Sequence, residues 1–270
     1  MSRIAQRFTE LRRQGRKGFI PFVTAGDPDL ETSLAIIRVL GSRGADVIEL
    51  GVPFSDPMAD GPTIQASSQR ALKNGTRLEQ VLDLVQEFRA ESDVPVVLFS
   101  YLNPLMQYGF ERLVSDASAA GVDGVLITDV IDDEAGAISD ILRSKDLDLI
   151  SLVAPTTSEG RLGKICSNAG GFIYAVARAG VTGARSEISA DAEELVRRTR
   201  NHTDLPIAVG FGISTAEQVE QVWQYADAAV VGSAIVAEIA DAQDCWDSVR
   251  RVSSFLDRLL PVVAKTPVEI

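Results

Sequence analysis

Eight short apolar runs, at residues 18–24, 46–52, 94–101, 124–129, 147–154, 171–177, 206–211 and 228–231, recur along the chain with amphipathic segments between them. Each run is nearly continuous in Val, Ile, Leu, Phe and Ala instead of alternating with polar residues. That is the pattern of strands buried on both faces, and therefore of a parallel sheet. The intervening segments, at 29–41, 77–91, 111–120, 133–145 and 215–225, have helical period and capping signals. Gly44, Gly121 and Gly170 stand shortly before the next run, where helix stop signals belong. Eight strand–helix units in a chain of about 250 residues predict a closed (β/α)8 TIM barrel, an α/β fold. A doubly wound open sheet is the alternative, and the GxGxxG turn that would favour it does not follow the first run. A pre-barrel helix at 4–14 is expected to cover the bottom, and the long connection after the second strand has room for an extra helix at 63–73. There is no linker, low-complexity tract or short repeat, so one domain over 1–270 is expected.

Composition narrows the function. A net charge of -12 argues against nucleic acid, which needs clustered Lys and Arg. An anionic small molecule stays possible where backbone dipoles supply the positive field. The two cysteines, Cys166 and Cys245, are far apart and form no CxxC, so neither a disulfide framework nor a structural zinc site is implied, and a reducing cytoplasm is the expected compartment. The amino terminus lacks an apolar core of signal-peptide length, and no run approaches the roughly 20 residues of a membrane span.

In a barrel the chemistry sits at the carboxyl ends of the strands. Those positions hold Thr24, Glu49, Asp60, Tyr101, Asn103, Asp129, Tyr174 and Arg178. Glu49 is the sharpest signal, because an unpaired carboxylate at the end of a buried strand is costly and its pKa is expected to rise. A raised pKa suits acid/base work near neutral pH. The competing reading is a glutamate that caps backbone or pairs with an arginine. The five lysines fall at strand beginnings, in helices or in the tail, and the single histidine, His202, precedes the seventh strand on the opposite face. Acid/base chemistry therefore falls to carboxylates and tyrosine. Gly210-Phe211-Gly212-Ile213-Ser214 and Val231-Gly232-Ser233-Ala234 place Gly and Ser where helices begin, in the two loops with which barrels often hold phosphate. Arg178 to Arg185, with Thr182 and Gly183, reads as a mobile lid able to reach the same phosphate, or else as an ordinary exposed loop. Phe22, Phe99, Tyr101, Leu126, Leu152 and Phe211 could line a flat apolar pocket or belong to the barrel core.

Taken in order, Pro21 to Pro28, Glu49 to Pro62, Tyr101 to Pro104, Arg178 to Gly183 and Gly210 to Ser214 closely resemble the tryptophan synthase alpha subunit family over essentially the whole chain. The resemblance implies reversible retro-aldol cleavage of indole-3-glycerol phosphate to indole and glyceraldehyde 3-phosphate. Carried over, Glu49 would protonate indole C3 and take the glycerol hydroxyl proton. Asp60 would hold the indole N–H, and Tyr174 would stand close to the glycerol chain. Gly183, Gly212, Gly232 and Ser233 would contact the phosphate. Phe22, Tyr101, Leu126, Thr128, Leu152 and Phe211 would form the indole pocket, and Arg178 and Thr182 belong to the lid. The chain would bind no cofactor itself. Its partner, a beta subunit in an alpha2beta2 tetramer, would carry pyridoxal phosphate.

Two departures accompany the resemblance. Asp129-Val130-Ile131 lacks the proline usual after the fourth strand, and Phe99 replaces the usual Met or Leu, which would narrow the indole pocket. The rival readings are a stand-alone lyase that releases free indole and a non-catalytic barrel kept as a binding partner. A phosphosugar isomerase would call for a strand-end Lys or His, which this chain lacks.

Overall fold

The computed structural model describes residues 2–130, 132–176, 190–210 and 212–260. Eight parallel strands close a barrel in chain order: β1 (Gly18–Thr24), β2 (Ile48–Gly51), β3 (Val96–Ser100), β4 (Gly124–Ile127), β5 (Asp148–Val153), β6 (Ile173–Val176), β7 (Ile207–Gly210) and β8 (Ala228–Val231). Closure comes from β1 and β8, which pair from Gly18↔Ala228 to Pro21↔Val231. The expected barrel is thus observed, with strands a little shorter than the apolar runs. The second run, expected over 46–52, is a strand over Ile48–Gly51, and Pro53 has no N–H to carry the ladder on beyond Val52.

Around the strands lie α1 (Arg3–Arg13), α2 (Leu30–Ser42), α3 (Pro62–Lys73), α4 (Leu78–Arg89), α5 (Leu102–Tyr108), α6 (Phe110–Ala120), α7 (Asp132–Arg143), α8 (Glu159–Asn168), α9 (Ala190–Arg200), α10 (Ala216–Trp223), α11 (Ser233–Ala240) and α12 (Cys245–Leu259). The expected pre-barrel helix and the extra helix after the second strand are α1 and α3. Local chemistry fixes the starts. Asp29 accepts from the Thr32 N–H at 2.8 Å, Asp244 accepts from the Asp247 N–H at 2.8 Å, and Thr215 and Gln218 form a reciprocal capping box.

Side chains alternate along each strand between two apolar sets. The outward set, including Phe19, Ile48, Leu50, Leu98, Val125 and Val209, packs under the helices. The inward set, including Ile20, Val47, Val97, Leu126, Ile150, Tyr174, Ala208 and Val230, fills the barrel and is closed at the bottom by Ile4, Phe8 and Leu11 of α1. Their spacing of four and three residues puts all three on one face of that helix. Polar bonds hold the plug: Ser2 Oγ donates to Asp148 at 2.7 Å, Arg3 pairs with Asp123 at 2.9 Å and Arg7 with Asp46 at 2.6 Å. The same end is stitched from within. Asp46 accepts the Phe19 N–H at 2.7 Å, Asp123 the Val96 N–H at 2.8 Å and Asp227 the Ile207 N–H at 2.9 Å, each satisfying the first or second amide of another strand. These bonds close the amino-terminal end of the barrel, opposite the strand ends at which the chemistry is expected.

Candidate active site

Glu49 lies inside β2, opposite Phe22 of β1 and Val97 of β3, and shares the inward face with Val47. It is 1% exposed, and its Oε1 has no hydrogen-bond partner. The alternative of a capping or arginine-paired glutamate is therefore not what this structure contains. With nothing to stabilise the anion, burial alone pushes the carboxyl up to about 8.

Asp60 follows the Pro/Gly-rich segment after β2 and stands two residues before α3. Burial raises its carboxyl to about 6, a rise tempered by a hydrogen bond from the Tyr101 hydroxyl. Tyr101 is buried at the end of β3, and its hydroxyl also accepts the Ala59 N–H at 2.9 Å while its ring packs on Phe54 at 5.2 Å. Desolvation, then the negative charge of Asp60, drives the Tyr101 phenol well above its ordinary value. This tyrosine therefore stays a neutral donor.

Glu49 and Asp60 meet at a cavity of about 90 Å³, lined also by Phe22, Phe99, Tyr174, Gly212, Gly232 and Ser233. Tyr174 is buried, and its phenol is raised by desolvation and by the charges of Glu49 and Asp60. Its hydroxyl fits because residue 210 is glycine: a Cβ there would come within 2.1 Å of that oxygen. Phe22 and Phe99 meet edge to face at 5.2 Å and form the apolar wall. Gly232 is the N-cap of α11 without a side-chain cap, and Ser233 opens that helix. The first amides of α11 have no partner within the helix and carry the positive end of its dipole, beside the cavity.

The structure thus brings together eight residues singled out in the sequence: Glu49, Asp60, Tyr174, Phe22, Phe99, Gly212, Gly232 and Ser233. Tyr101 touches the site through Ala59 and Asp60. Thr128 bonds to the Ser100 carbonyl at 3.4 Å and supports the Tyr101 hydroxyl. Leu126 and Leu152 face the barrel interior, paired with Phe99 and Tyr174 of the lining, but do not themselves line this cavity. Arg178, Thr182, Gly183 and Phe211 lie outside the described residues. Ile64, Gly61 and Val230 also line the cavity and were not anticipated. Ile64 could have been found, since it stands one helical turn beyond Asp60.

Two inward carboxyls of unequal acidity, an apolar slot and a helix N-terminus at the open end of a (β/α)8 barrel define an acid/base enzyme built for an aromatic, anionic substrate. Comparison with known sequences makes the class particular. The tryptophan synthase alpha chain family matches residues 8–260, and the chain belongs to that family. The tryptophan synthase alpha chain of Acidiphilium cryptum is 50% identical over 245 residues, covering 90% of this chain and 89% of that relative. That of Geobacter sulfurreducens is 49% identical over 259 residues, covering 96% and 98%. Among solved structures, tryptophan synthase from M. tuberculosis in its aminoacrylate-bound form superposes with a TM-score of 0.86 at 33% identity, covering 96% of this chain and 98% of the other. The tryptophan synthase A-subunit of Pyrococcus furiosus does so with a TM-score of 0.84 at 38% identity, covering 91% and 98%. The chain is accordingly a carbon–carbon lyase of tryptophan biosynthesis with the alpha-subunit role, and the stand-alone lyase is not favoured.

Proposed function

We propose that Glu49 and Asp60 divide the work of cleaving indole-3-glycerol phosphate, with the difference in their acidity as the observation that carries the reading. At pH 7 a carboxyl near 8 is mostly protonated and one near 6 mostly ionised. Glu49 therefore acts first as the acid and gives its proton to indole C3. Ionised Asp60 accepts the ring N–H and stabilises the positive charge that spreads onto that nitrogen. The Glu49 carboxylate then takes the proton of the glycerol hydroxyl next to the ring. The C–C bond breaks as the carbonyl forms, and its electron pair returns to the ring, releasing indole and glyceraldehyde 3-phosphate with Glu49 reprotonated. The protonated indole is its own electron sink, so no lysine imine is required.

Tyr174, neutral and adjacent, orients the glycerol chain. The amides at Gly212, Gly232 and Ser233 hold the phosphate on the α11 dipole, which answers how a chain of net charge -12 binds an anion. Phe22, with Tyr101 at the rim, receives the indole plane; Phe99 narrows it. Gly183, Arg178, Thr182 and Phe211 keep the phosphate, lid and pocket roles that the family resemblance gives them. The chain acts as one domain and binds no cofactor of its own. Its partner is a beta subunit carrying pyridoxal phosphate, in an alpha2beta2 assembly of the cytoplasm. Among the described residues no helix is long and apolar enough to cross a membrane.

The test is indole release from indole-3-glycerol phosphate by the purified chain, with and without a tryptophan synthase beta subunit. Slow turnover that rises strongly with the partner is expected, and Glu49→Gln should lower it by at least 10²- to 10⁴-fold while binding changes only a few-fold. Near-native turnover in that variant would end the assignment, and fast turnover unaffected by the partner would restore the stand-alone reading.

A further inference from the structure

We propose that Arg70, on α3 two turns beyond the cavity-lining Ile64, is a positioning residue: through Asp27 it docks α3 on the end of β1 and so sets where Asp60 and Ile64 stand. The inference rests on the role given to Asp60 above.

α3 interrupts the regular strand–helix alternation. It packs against β1 and α11, not over the strand that leads into it. A helix inserted after β2 thus needs its own attachment to a strand it does not follow. One stripe of α3 provides it. Ile64, at the first turn, lines the cavity. Ser67, one turn on, shares a 2.6 Å hydrogen bond with Thr24 at the end of β1, and both are buried. Arg70 makes a two-pronged bond to Asp27, with Nε to Oδ1 and Nη2 to Oδ2 both at 2.7 Å. Just past the helix, Asn74 donates to the Pro28 carbonyl. Residues 64, 67, 70 and 74 fall on one side of a helix, so the stripe runs from the cavity to the turn after β1.

That turn offers a firm footing. Asp27 is 1% exposed, and Gly26 donates its N–H to Ser33 Oγ at 2.9 Å. Gly26 has φ +82, and a Cβ there would come within 2.0 Å of Thr76 Oγ1, so the turn and the end of α3 approach as closely as glycine allows. At the other end of the helix, Gln65 Nε2 donates to the Asp60 carbonyl at 2.8 Å. The linkage therefore runs from Asp27 through Arg70 and α3 to Gln65 and the Asp60 backbone. Tyr101 separately holds the Asp60 side-chain carboxyl. Asp60 is gripped between two elements, and only one of these grips contains a residue in the cavity wall.

The pair is well made for positioning. A planar guanidinium that meets a carboxylate through two parallel bonds fixes angle as well as distance, which a lysine ammonium cannot do. Asp27 is buried while the Arg70 side chain is 37% exposed, so the charge is held at the surface end of the stripe, clear of the acid/base pair.

The experiment compares wild type with Arg70→Ala and Arg70→Lys, reading the titration midpoint of the Asp60 carboxyl by carbon-13 NMR alongside kcat/KM for indole-3-glycerol phosphate. Asp60→Asn identifies the resonance. Arg70→Ala is expected to move the Asp60 midpoint down from about 6 toward the ordinary carboxylate range as the loop loosens and water enters. It should lower kcat/KM at least ten-fold, mostly in kcat, and Arg70→Lys should fall between. Millimolar guanidinium should restore part of the loss in the alanine variant. A purely structural role predicts something else: a lower melting temperature with the midpoint unmoved and kcat/KM within two-fold of wild type, and that result overturns the proposal. Should the alanine variant not fold, the lysine variant decides on the same two readouts. If wild type itself releases no indole, the proposed function falls, and the Asp60 midpoint still decides whether Arg70 positions that carboxyl.

Discussion

Glu49 and Asp60 carry different charges at neutral pH because burial acts on them unequally. Glu49 is enclosed by the inward face of the barrel with one oxygen unpartnered, whereas Asp60 keeps a hydrogen bond from Tyr101. The division of labour predicts a bell-shaped kcat/KM against pH. The rate should rise through about pH 6 as Asp60 ionises and fall through about pH 8 as Glu49 loses its proton. A flat profile over that interval, measured on indole release, would show that these two groups do not govern the reaction. Glu49 was legible in the sequence because a carboxylate amid an apolar run has no packing purpose. Tyr101 was legible as a strand-end residue and an aromatic wall, but not as the partner of Asp60, since Ala59 and Asp60 lie more than forty positions away. Arg70 gave no signal at all: a helical arginine looks like any solvated charge until Asp27 is brought beside it.

Elements were read more easily than contacts. The eight strands announced themselves because parallel strands covered on both sides are apolar throughout. α5 did not, because Pro104 in Leu102-Asn103-Pro104 reads as a loop. It stands at the third position of the helix, within the first turn, where a missing N–H costs no helical bond. The existence of α3 was legible and its docking was not, for sequence period reports that a face is buried and not what it meets. α1 shows the same limit, since its apolar stripe predicted a cover and the structure supplies the partner: Phe8 packs on Phe172 with ring centroids 5.9 Å apart, at the floor of the barrel. Phe8→Ala should therefore cost about 3–5 kcal/mol in urea unfolding. Indole release by the folded fraction should stay near wild type, because the plug lies at the opposite end from the cavity. A loss under about 1 kcal/mol would mean that α1 is a loose lid and not part of the barrel core.

At the scale of the whole molecule, the carboxyl to which the proton transfers are assigned in the proposal also weakens the fold. The native Glu49 carboxyl titrates near 8, above its ordinary 4.5. An unfolded chain sheds that proton first, so stability is fully present below about pH 4.5 and is lost progressively as pH rises toward 8. Glu49→Gln escapes this loss. It should be more stable than wild type at pH 7 by about 2–4 kcal/mol, with the difference closing as pH falls toward 4.5. Equal stability of the two proteins across that range, by denaturant unfolding, would mean that Glu49 is not buried protonated. The unpartnered oxygen of Glu49 also turns folding into a chemical reaction with the solvent. Each barrel that closes at pH 7 draws about one proton from solution, so refolding in dilute, weakly buffered medium with an indicator dye should register a slight alkaline drift that follows the return of native structure.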